Sequence, residues 1–117
     1  MDTPPGKTLN LNVEQNSASL SITPVIYLKI LKKAVEQTSE DLKKIEAALP
    51  ISDFDVIYAV AHKLKGDYDN LRITDLSNIA RQIDGMAKRK QSNDGILELF
   101  DEFVVYFEQL KKIVSEK

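Results

Sequence analysis

The residues best suited to chemistry lie in the short run 61–66, Ala-His-Lys-Leu-Lys-Gly, which holds the only histidine of the chain, His62. Imidazole is a nucleophile in its neutral form, which is abundant near neutral pH. On a helix, Lys65 lies one turn beyond His62, where its ammonium can offset the charge of a phosphoryl group on the ring. Gly66 leaves room for another domain to approach closely. These residue types favour phosphoryl transfer through histidine.

Helical spacing predicts that the His62 ring is exposed at the edge of a buried face. Apolar residues recur along this segment at the intervals of one helical face, namely Phe54, Ile57, Ala61, Leu64 and Tyr68. His62 follows Ala61 and is therefore rotated by about 100° from that face, toward solvent. The residues that share its side of the helix are Asp55, Tyr58, Lys65, Gly66 and Asp69.

Each residue of this group also has an ordinary structural interpretation. A lone histidine on a helix is usually a polar surface residue without a special role. Lys63 and Lys65 are of a type that usually carries a solvated charge, and Gly66 can be a weak point that costs about 1 kcal/mol relative to alanine. Only the combination of residues favours a functional site.

The first of four predicted amphipathic helices covers residues 24–49. Thr23 has the side chain of a good N-cap, and Pro24 suits the first helical position because its missing N–H is not needed there. Apolar residues then recur at alternating intervals of three and four, which indicates one buried face. Pro50 ends this helix.

The second and third helices follow after short connections. Ser52 or Asp53 is expected to cap the second helix, which carries His62 and should break at residues 69–70, Asp-Asn. Thr74 is expected to cap the third helix. A turn at residues 92–95, Ser-Asn-Asp-Gly, then precedes a fourth helix with a strongly apolar face.

Together these segments predict an all-α fold, an antiparallel up-down-up-down four-helix bundle over residues 22–117, because short connections place consecutive helices antiparallel. Residues 1–21 are rich in Pro, Asn, Ser and Thr and are expected to form a flexible N-terminal arm or linker. Within that arm, Leu9, Leu11 and Val13 are expected to pack on the bundle.

Composition excludes several classes of function. With 16 basic and 18 acidic residues the net charge is −2, which disfavours nucleic acid as a partner. The absence of cysteine excludes disulfides, thiolate metal sites and cysteine nucleophiles. No Gly-rich phosphate loop, metal-binding pattern, apolar run of about 20 residues or secretory signal is visible. We expect a cytoplasmic, monomeric domain without membrane contact, nucleotide site or cofactor.

The run 61–66, preceded by Ser-Asp-Phe-Asp at 52–55 and followed by Leu71 and the helix over 75–86, resembles the histidine-containing phosphotransfer (HPt) domains of multistep two-component phosphorelays. The resemblance covers about residues 23–114. It implies that His62 accepts a phosphoryl group from a receiver-domain aspartate and passes it to another receiver. It further implies a phosphocarrier without its own kinase activity, with magnesium expected only on the partner receiver domain.

The same resemblance assigns supporting roles to neighbouring residues. Lys65 and Gly66 form the surroundings of the phospho-acceptor. From their positions near the histidine, apolar Tyr58, Ala59 and Leu71 are expected to form the contact patch for a partner. Lys63, Lys65 and Arg72 are expected to form its polar rim, and Asp69 is a further candidate for partner binding.

The sequence departs from the family pattern at two places. Small residues commonly follow the glycine, whereas this chain has Asp67, Tyr68 and Asp69; a second glycine commonly falls where Arg72 stands. Asp69 would disfavour a phosphorylated His62 by about 0.5 kcal/mol at the surface. Arg72 either offsets that charge or helps to dock an acidic receiver.

Two other classes of function stay open at this point. The chain could be a docking or scaffold bundle without phosphorylation, in which His62 is incidental. An enzyme with a metal in the bundle would need several inward carboxylates or histidines, which the apolar stripes do not carry. The phosphotransfer hypothesis itself admits two contexts, a stand-alone carrier and the terminal domain of a hybrid sensor histidine kinase tethered to a membrane.

Overall fold

A computed structural model describes residues 8–90 and 93–116, which form an all-α fold, as predicted. The five α-helices are α1 Val13–Ser19, α2 Pro24–Ala48, α3 Phe54–Asn70, α4 Thr74–Lys88 and α5 Asn93–Ser115, and a 3₁₀ turn, Leu49–Ile51, follows α2. No strand occurs within the described residues. None of the helices in this part of the chain combines the length and apolar character needed to cross a bilayer.

The starts of α2 and α3 follow from local side-chain capping. The hydroxyl of Thr23 accepts a hydrogen bond from the backbone N–H of Ile26 at 3.2 Å. The carboxylate of Asp53 accepts from the N–H of Val56 at 3.3 Å. Of the two predicted caps for α3, Asp53 therefore has this role, while Ser52 occupies the left-handed turn before it, with φ 53°. These caps satisfy backbone donors that have no partner within the helix.

Two predicted boundaries are wrong, and one is confirmed. Helix α3 ends at Asn70, within the pair predicted to break it. Helix α4 begins at Thr74 itself, with Ile73 as an N-cap that offers no side-chain hydrogen bond. Helix α5 includes residues 93–95 of the predicted turn, and residue 92 lies outside the described residues. Helix ends depend on packing and backbone geometry as well as on residue type, which is why single breaking residues misplace them.

The prediction of a flexible arm is wrong for residues 8–21, and residues 1–7 lie outside the described residues. Helix α1 forms within this segment, with the side chain of Asn12 accepting from the N–H of Gln15. Leu9 is buried, as expected, and its N–H donates to Oε1 of Gln109 on α5 at 2.9 Å. Polar residues of α1 are buried as well, so tertiary contacts stabilise a helix too short to be stable alone.

The helices enclose one apolar core. Helix α3 packs most extensively on α4, α4 also packs on α5, and α2 contacts both α3 and α5. Four aromatic side chains, Tyr27, Tyr68, Phe103 and Phe107, are almost completely buried. Tyr68 of α3 meets Phe103 of α5 edge to face at 6.2 Å between ring centroids.

Buried tyrosine hydroxyls set α3 against α2. The hydroxyl of Tyr68 lies 2.6 Å from that of Thr38, and the Tyr27 hydroxyl donates to the carbonyl oxygen of Leu71 at 2.5 Å. Burial raises the pKa of Tyr27 and of Tyr68, so both hydroxyls stay neutral. Because both bonds join α2 to the C-terminal end of α3, they restrain the helix that carries His62.

Candidate functional site

The His62 side chain lies on the solvent side of α3 and is 57% exposed. Its neighbours Ala61 and Leu64 are buried in the core. The prediction of an exposed ring beside a buried face is therefore confirmed. The site is a surface of the protein rather than a pocket, and a second macromolecule could reach it.

The carboxylate of Asp84, on α4, holds one edge of this ring. Its Oδ2 lies 3.1 Å from Nδ1 of His62, and its side chain is only 11% exposed. An ionised carboxylate can only accept, so the short contact favours the tautomer with the proton on Nδ1. In that tautomer Nε2 carries the free lone pair and is the nucleophilic nitrogen.

Lys65, one helical turn after His62, lies beside the same carboxylate. Its Nζ is 3.8 Å from Oδ2 of Asp84, the atom that also contacts the ring, and the lysine side chain is 27% exposed. One oxygen of Asp84 thus joins the candidate nucleophile and the candidate cation. This geometry keeps the ammonium close to the ring without occupying Nε2.

Asp84 is the site residue that sequence reasoning missed. It is separated from His62 by 22 residues and lies on another helix, so no spacing rule connects the two. A buried acid beside the apolar face of α4 is a signal in principle, since a buried carboxylate needs a cationic or hydrogen-bonding partner. The sequence alone does not indicate which partner that is.

Tyr58, Ala59 and Gly66 lie around the ring on α3. Tyr58 is half-buried and stacks on His62, with ring centroids 5.6 Å apart and planes at 25°. Ala59 is exposed. A Cβ atom added at Gly66 would meet nothing within 4 Å, so nothing within the fold requires a glycine there. Its surroundings are open, and the close approach of a partner there stays a prediction.

Lys63 faces α2, whereas His62 faces α4. Its Nζ contacts the carboxylate of Asp41 at 2.7 Å and that of Asp67 at 3.3 Å. Burial lowers the pKa of Lys63, but the two carboxylates outweigh burial and raise it above its ordinary value. Asp41 is buried, with a side chain 4% exposed, so the lysine neutralises an acid inside the fold. The predicted partner-binding lysine is therefore engaged in an ion pair between helices.

Asp69 and Arg72 are exposed, but they do not pair through their charged groups as the sequence suggested. The carboxylate of Asp69 contacts Arg81 of α4 at 3.3 Å, so Arg81 offsets its charge. Arg72 donates through Nε to the hydroxyl of Ser19 and through a terminal nitrogen to the carbonyl oxygen of Asp69. Leu71, expected in the contact patch, is instead buried.

The backbone at Arg72 shows why a glycine would suit this position, where the sequence departs from the family pattern. Its φ of 62° lies in the left-handed region, where a side chain costs roughly 1–2 kcal/mol relative to glycine. A glycine suits the backbone of this turn, and the arginine adopts the same conformation while its side chain binds the end of α1.

Within residues 8–90 and 93–116, no group of three or more His, Cys, Asp or Glu side chains could hold a metal ion.

Comparison with known proteins shows the family and a similar fold. The family model described as the Hpt domain matches residues 29–116, and the chain belongs to the HPt domain family. The crystal structure of the HPT domain from a sensor hybrid histidine kinase of Shewanella is similar in fold, with a TM-score of 0.74 and 23% identity, over 92% of this chain and 95% of that chain. No curated protein matches. The family acts in phosphotransfer in two-component phosphorelays, with response-regulator receiver domains as partners.

Proposed function

We propose that Nε2 of His62 accepts a phosphoryl group from a receiver-domain aspartate and passes it to the aspartate of another receiver domain. The observation that carries the proposal is the exposed ring whose Nδ1 lies 3.1 Å from the buried carboxylate of Asp84. This arrangement leaves a nucleophilic nitrogen on the surface of a domain whose family works in phosphorelays.

The transfer balances without a proton donor or acceptor. The lone pair of Nε2 forms a bond to phosphorus, the bond from phosphorus to the aspartate oxygen breaks, and its electron pair leaves with the donor carboxylate. The discharge step reverses these changes toward the second receiver. The domain supplies mainly the position of the nucleophile, which lowers the entropic part of the barrier.

Lys65 supports the step electrostatically. Its ammonium lies 3.8 Å from the Asp84 carboxylate and is partly exposed, so a small rotation of a flexible side chain can bring it to the phosphoryl oxygens. A charge-assisted hydrogen bond there stabilises the negative charge of the transferring group. Any magnesium ion is assigned to the acidic pocket of the receiver. The domain itself acts as a phosphocarrier and not as a kinase.

Receiver docking is proposed for the surface around the ring. Tyr58, Ala59 and Gly66 offer an apolar and open area beside His62. Asp69 and Arg72 lie toward one end of that surface, each engaged in contacts of its own. We give Lys63 a structural role, since it pairs with a buried acid on the α2 side.

We further propose that α2 to α5 form the antiparallel up-down-up-down bundle expected from the sequence, in a monomeric, cytoplasmic domain. Cross-helix pairs support this arrangement for α2 and α3. Tyr27 bonds to Leu71, Thr38 to Tyr68, and Asp41 to Lys63, so numbers rise along α2 as they fall along α3. The connections from α2 to α3 and from α3 to α4 are also short.

Label transfer tests the proposal. Receiver domains are phosphorylated with labelled acetyl phosphate, separated from excess donor and mixed with this chain or with its His62→Gln variant. The expected result is label on the native chain that is stable to alkali and labile to acid, as phosphohistidine is, and no label on the variant. Label that persists on the variant, or receiver binding without any label, would contradict phosphotransfer, and the second result would favour a docking domain.

A further inference from the structure

Asp84 contacts both functional groups of the site through a single oxygen. Its Oδ2 lies 3.1 Å from Nδ1 of His62 and 3.8 Å from Nζ of Lys65. The carboxylate is 11% exposed, so water screens its charge weakly. Its effect on the ring should therefore exceed that of an exposed acid at a similar distance.

We propose that Asp84 keeps a proton on Nδ1 of His62 through the whole phosphoryl cycle, which makes the phosphohistidine a readily discharged intermediate rather than a long-lived store. This inference rests on the proposed function. It concerns the lifetime of the phosphorylated ring and its tendency to transfer, which the fold and the presence of a nucleophile do not determine.

The ring proton keeps the same position in both steps of the transfer. Before transfer the proton is on Nδ1, because the carboxylate accepts from it. When Nε2 binds phosphorus, the proton stays on Nδ1, and the ring gains a positive charge that Asp84 balances. On discharge the bond between phosphorus and Nε2 breaks, and its electron pair returns to Nε2. The ring leaves as neutral imidazole, which is a far better leaving group than the imidazolate that an unprotonated ring would have to form.

Lys65 strengthens this effect as it moves. In the unphosphorylated site its ammonium shares Oδ2 of Asp84 with the ring. Once Lys65 turns to the phosphoryl oxygens, the carboxylate interacts with the ring alone. Other charged groups lie on the same helices: Asp55 and Asp69 are two turns from His62 on α3, and Arg81 and Lys88 are about one turn from Asp84 on α4. Asp69 and Arg81 pair with each other.

Phosphorylation by a small-molecule donor tests the lifetime of the phosphohistidine without requiring recognition of a receiver. The purified chain is phosphorylated with phosphoramidate, the donor is removed, and the decay of phosphohistidine is followed by phosphorus-31 NMR. Asp84→Asn removes the charge and keeps the shape, and we expect it to lengthen the half-life about fivefold, the difference between a charge-assisted and a neutral hydrogen bond. Asp84→Glu restores the charge and is expected to shorten the half-life again toward the native value.

Asp55→Asn is the matched control, since it removes one carboxylate charge from an exposed position of α3, two turns before His62 on the same face of the helix. We expect it to change the half-life less than about twofold, because exposed charges interact weakly. Nitrogen-15 shifts give a second readout: at mildly alkaline pH the phosphorylated native ring keeps its Nδ1 proton, and the Asp84→Asn ring loses it. Equal half-lives and equal shifts in the native and Asp84→Asn chains would overturn the inference alone. A native chain that phosphoramidate does not phosphorylate at His62 would overturn the proposed function as well.

Discussion

Oδ2 of Asp84 and Nδ1 of His62 lie 3.1 Å apart although 22 residues separate them in the chain. The contact joins α3 to α4, the two helices with the most extensive mutual packing. The orientation of the candidate nucleophile is therefore tied to the best-packed interface in the described part of the molecule. Substitutions near the interface of α3 and α4 should alter phosphoryl transfer. Substitutions on the side of α3 that faces α2 should alter the stability of the fold.

Replacing Lys65 with glutamine should slow phosphoryl transfer from a receiver while leaving His62 as the labelled residue. The substitution removes the ammonium that lies beside the Asp84 carboxylate, and loss of a partly exposed charge-assisted bond should cost about tenfold in rate. Rapid-mix labelling measures this rate. The control is Lys43→Gln, which replaces an exposed lysine that pairs with Glu40 on α2 and should transfer at the native rate.

Replacing Lys63 with methionine should destabilise the fold and leave the phosphorylation of His62 unchanged. The variant leaves the carboxylate of Asp41, 4% exposed, without its cation, which should cost about 2 kcal/mol of unfolding free energy. Urea denaturation measures the loss. Labelling of His62 by phosphoramidate should be unchanged in the folded variant, and a stable variant that fails to bind receivers would instead assign Lys63 to partner binding.

Replacing Gly66 with alanine should have opposite effects on the stability of the fold and on transfer from a receiver. The new Cβ meets no atom within 4 Å, and alanine is the better helix former, so stability should rise by up to about 1 kcal/mol. If a receiver approaches this position closely, transfer from the receiver slows while labelling by phosphoramidate is unchanged. Equal transfer rates from a receiver to both chains would remove Gly66 from the docking surface.

Replacing Tyr68 with phenylalanine should change both the neutral and the alkaline stability. The Thr38 hydroxyl donates to the carbonyl oxygen of Ala34, so Tyr68 donates to Thr38, and loss of this bond should cost about 1 kcal/mol. Burial raises the pKa of Tyr68 above its ordinary value of 10.0. Above that pH the unfolded tyrosine loses its proton before the folded one, so the native chain loses stability as the pH rises.

The Tyr68→Phe variant lacks this ionisation, and its stability should therefore fall less steeply over the same alkaline range. Unfolding free energies at neutral and alkaline pH, compared with those of Tyr106→Phe, provide the measurement. Tyr106 is only partly buried on α5, which makes it a suitable tyrosine control. A parallel decline in the native chain and in Tyr68→Phe would show that other groups govern alkaline stability.

Local features of the sequence determined the four long helices, α2 to α5, and the position of the candidate nucleophile. Thr23 and Asp53 cap their helices through bonds to residues three positions on, and the exposure of His62 follows from its offset to Ala61 on one helical turn. Interactions over three or four residues depend only on helix geometry, so they can be predicted from the chain itself. The resemblance of residues 61–66 to HPt domains likewise depends on the chain alone, and the family match confirms it.

Only the tertiary structure decided which residues complete the site. The pairing of Asp84 with His62, of Lys63 with Asp41 and of Asp69 with Arg81, and the packing of residues 8–21, all join segments distant in sequence or on different helices. Such contacts depend on how each helix is rotated and shifted against its neighbours. That rotation is set by the packing of the whole core, which includes Tyr27, Tyr68 and Phe103, and no local spacing encodes it.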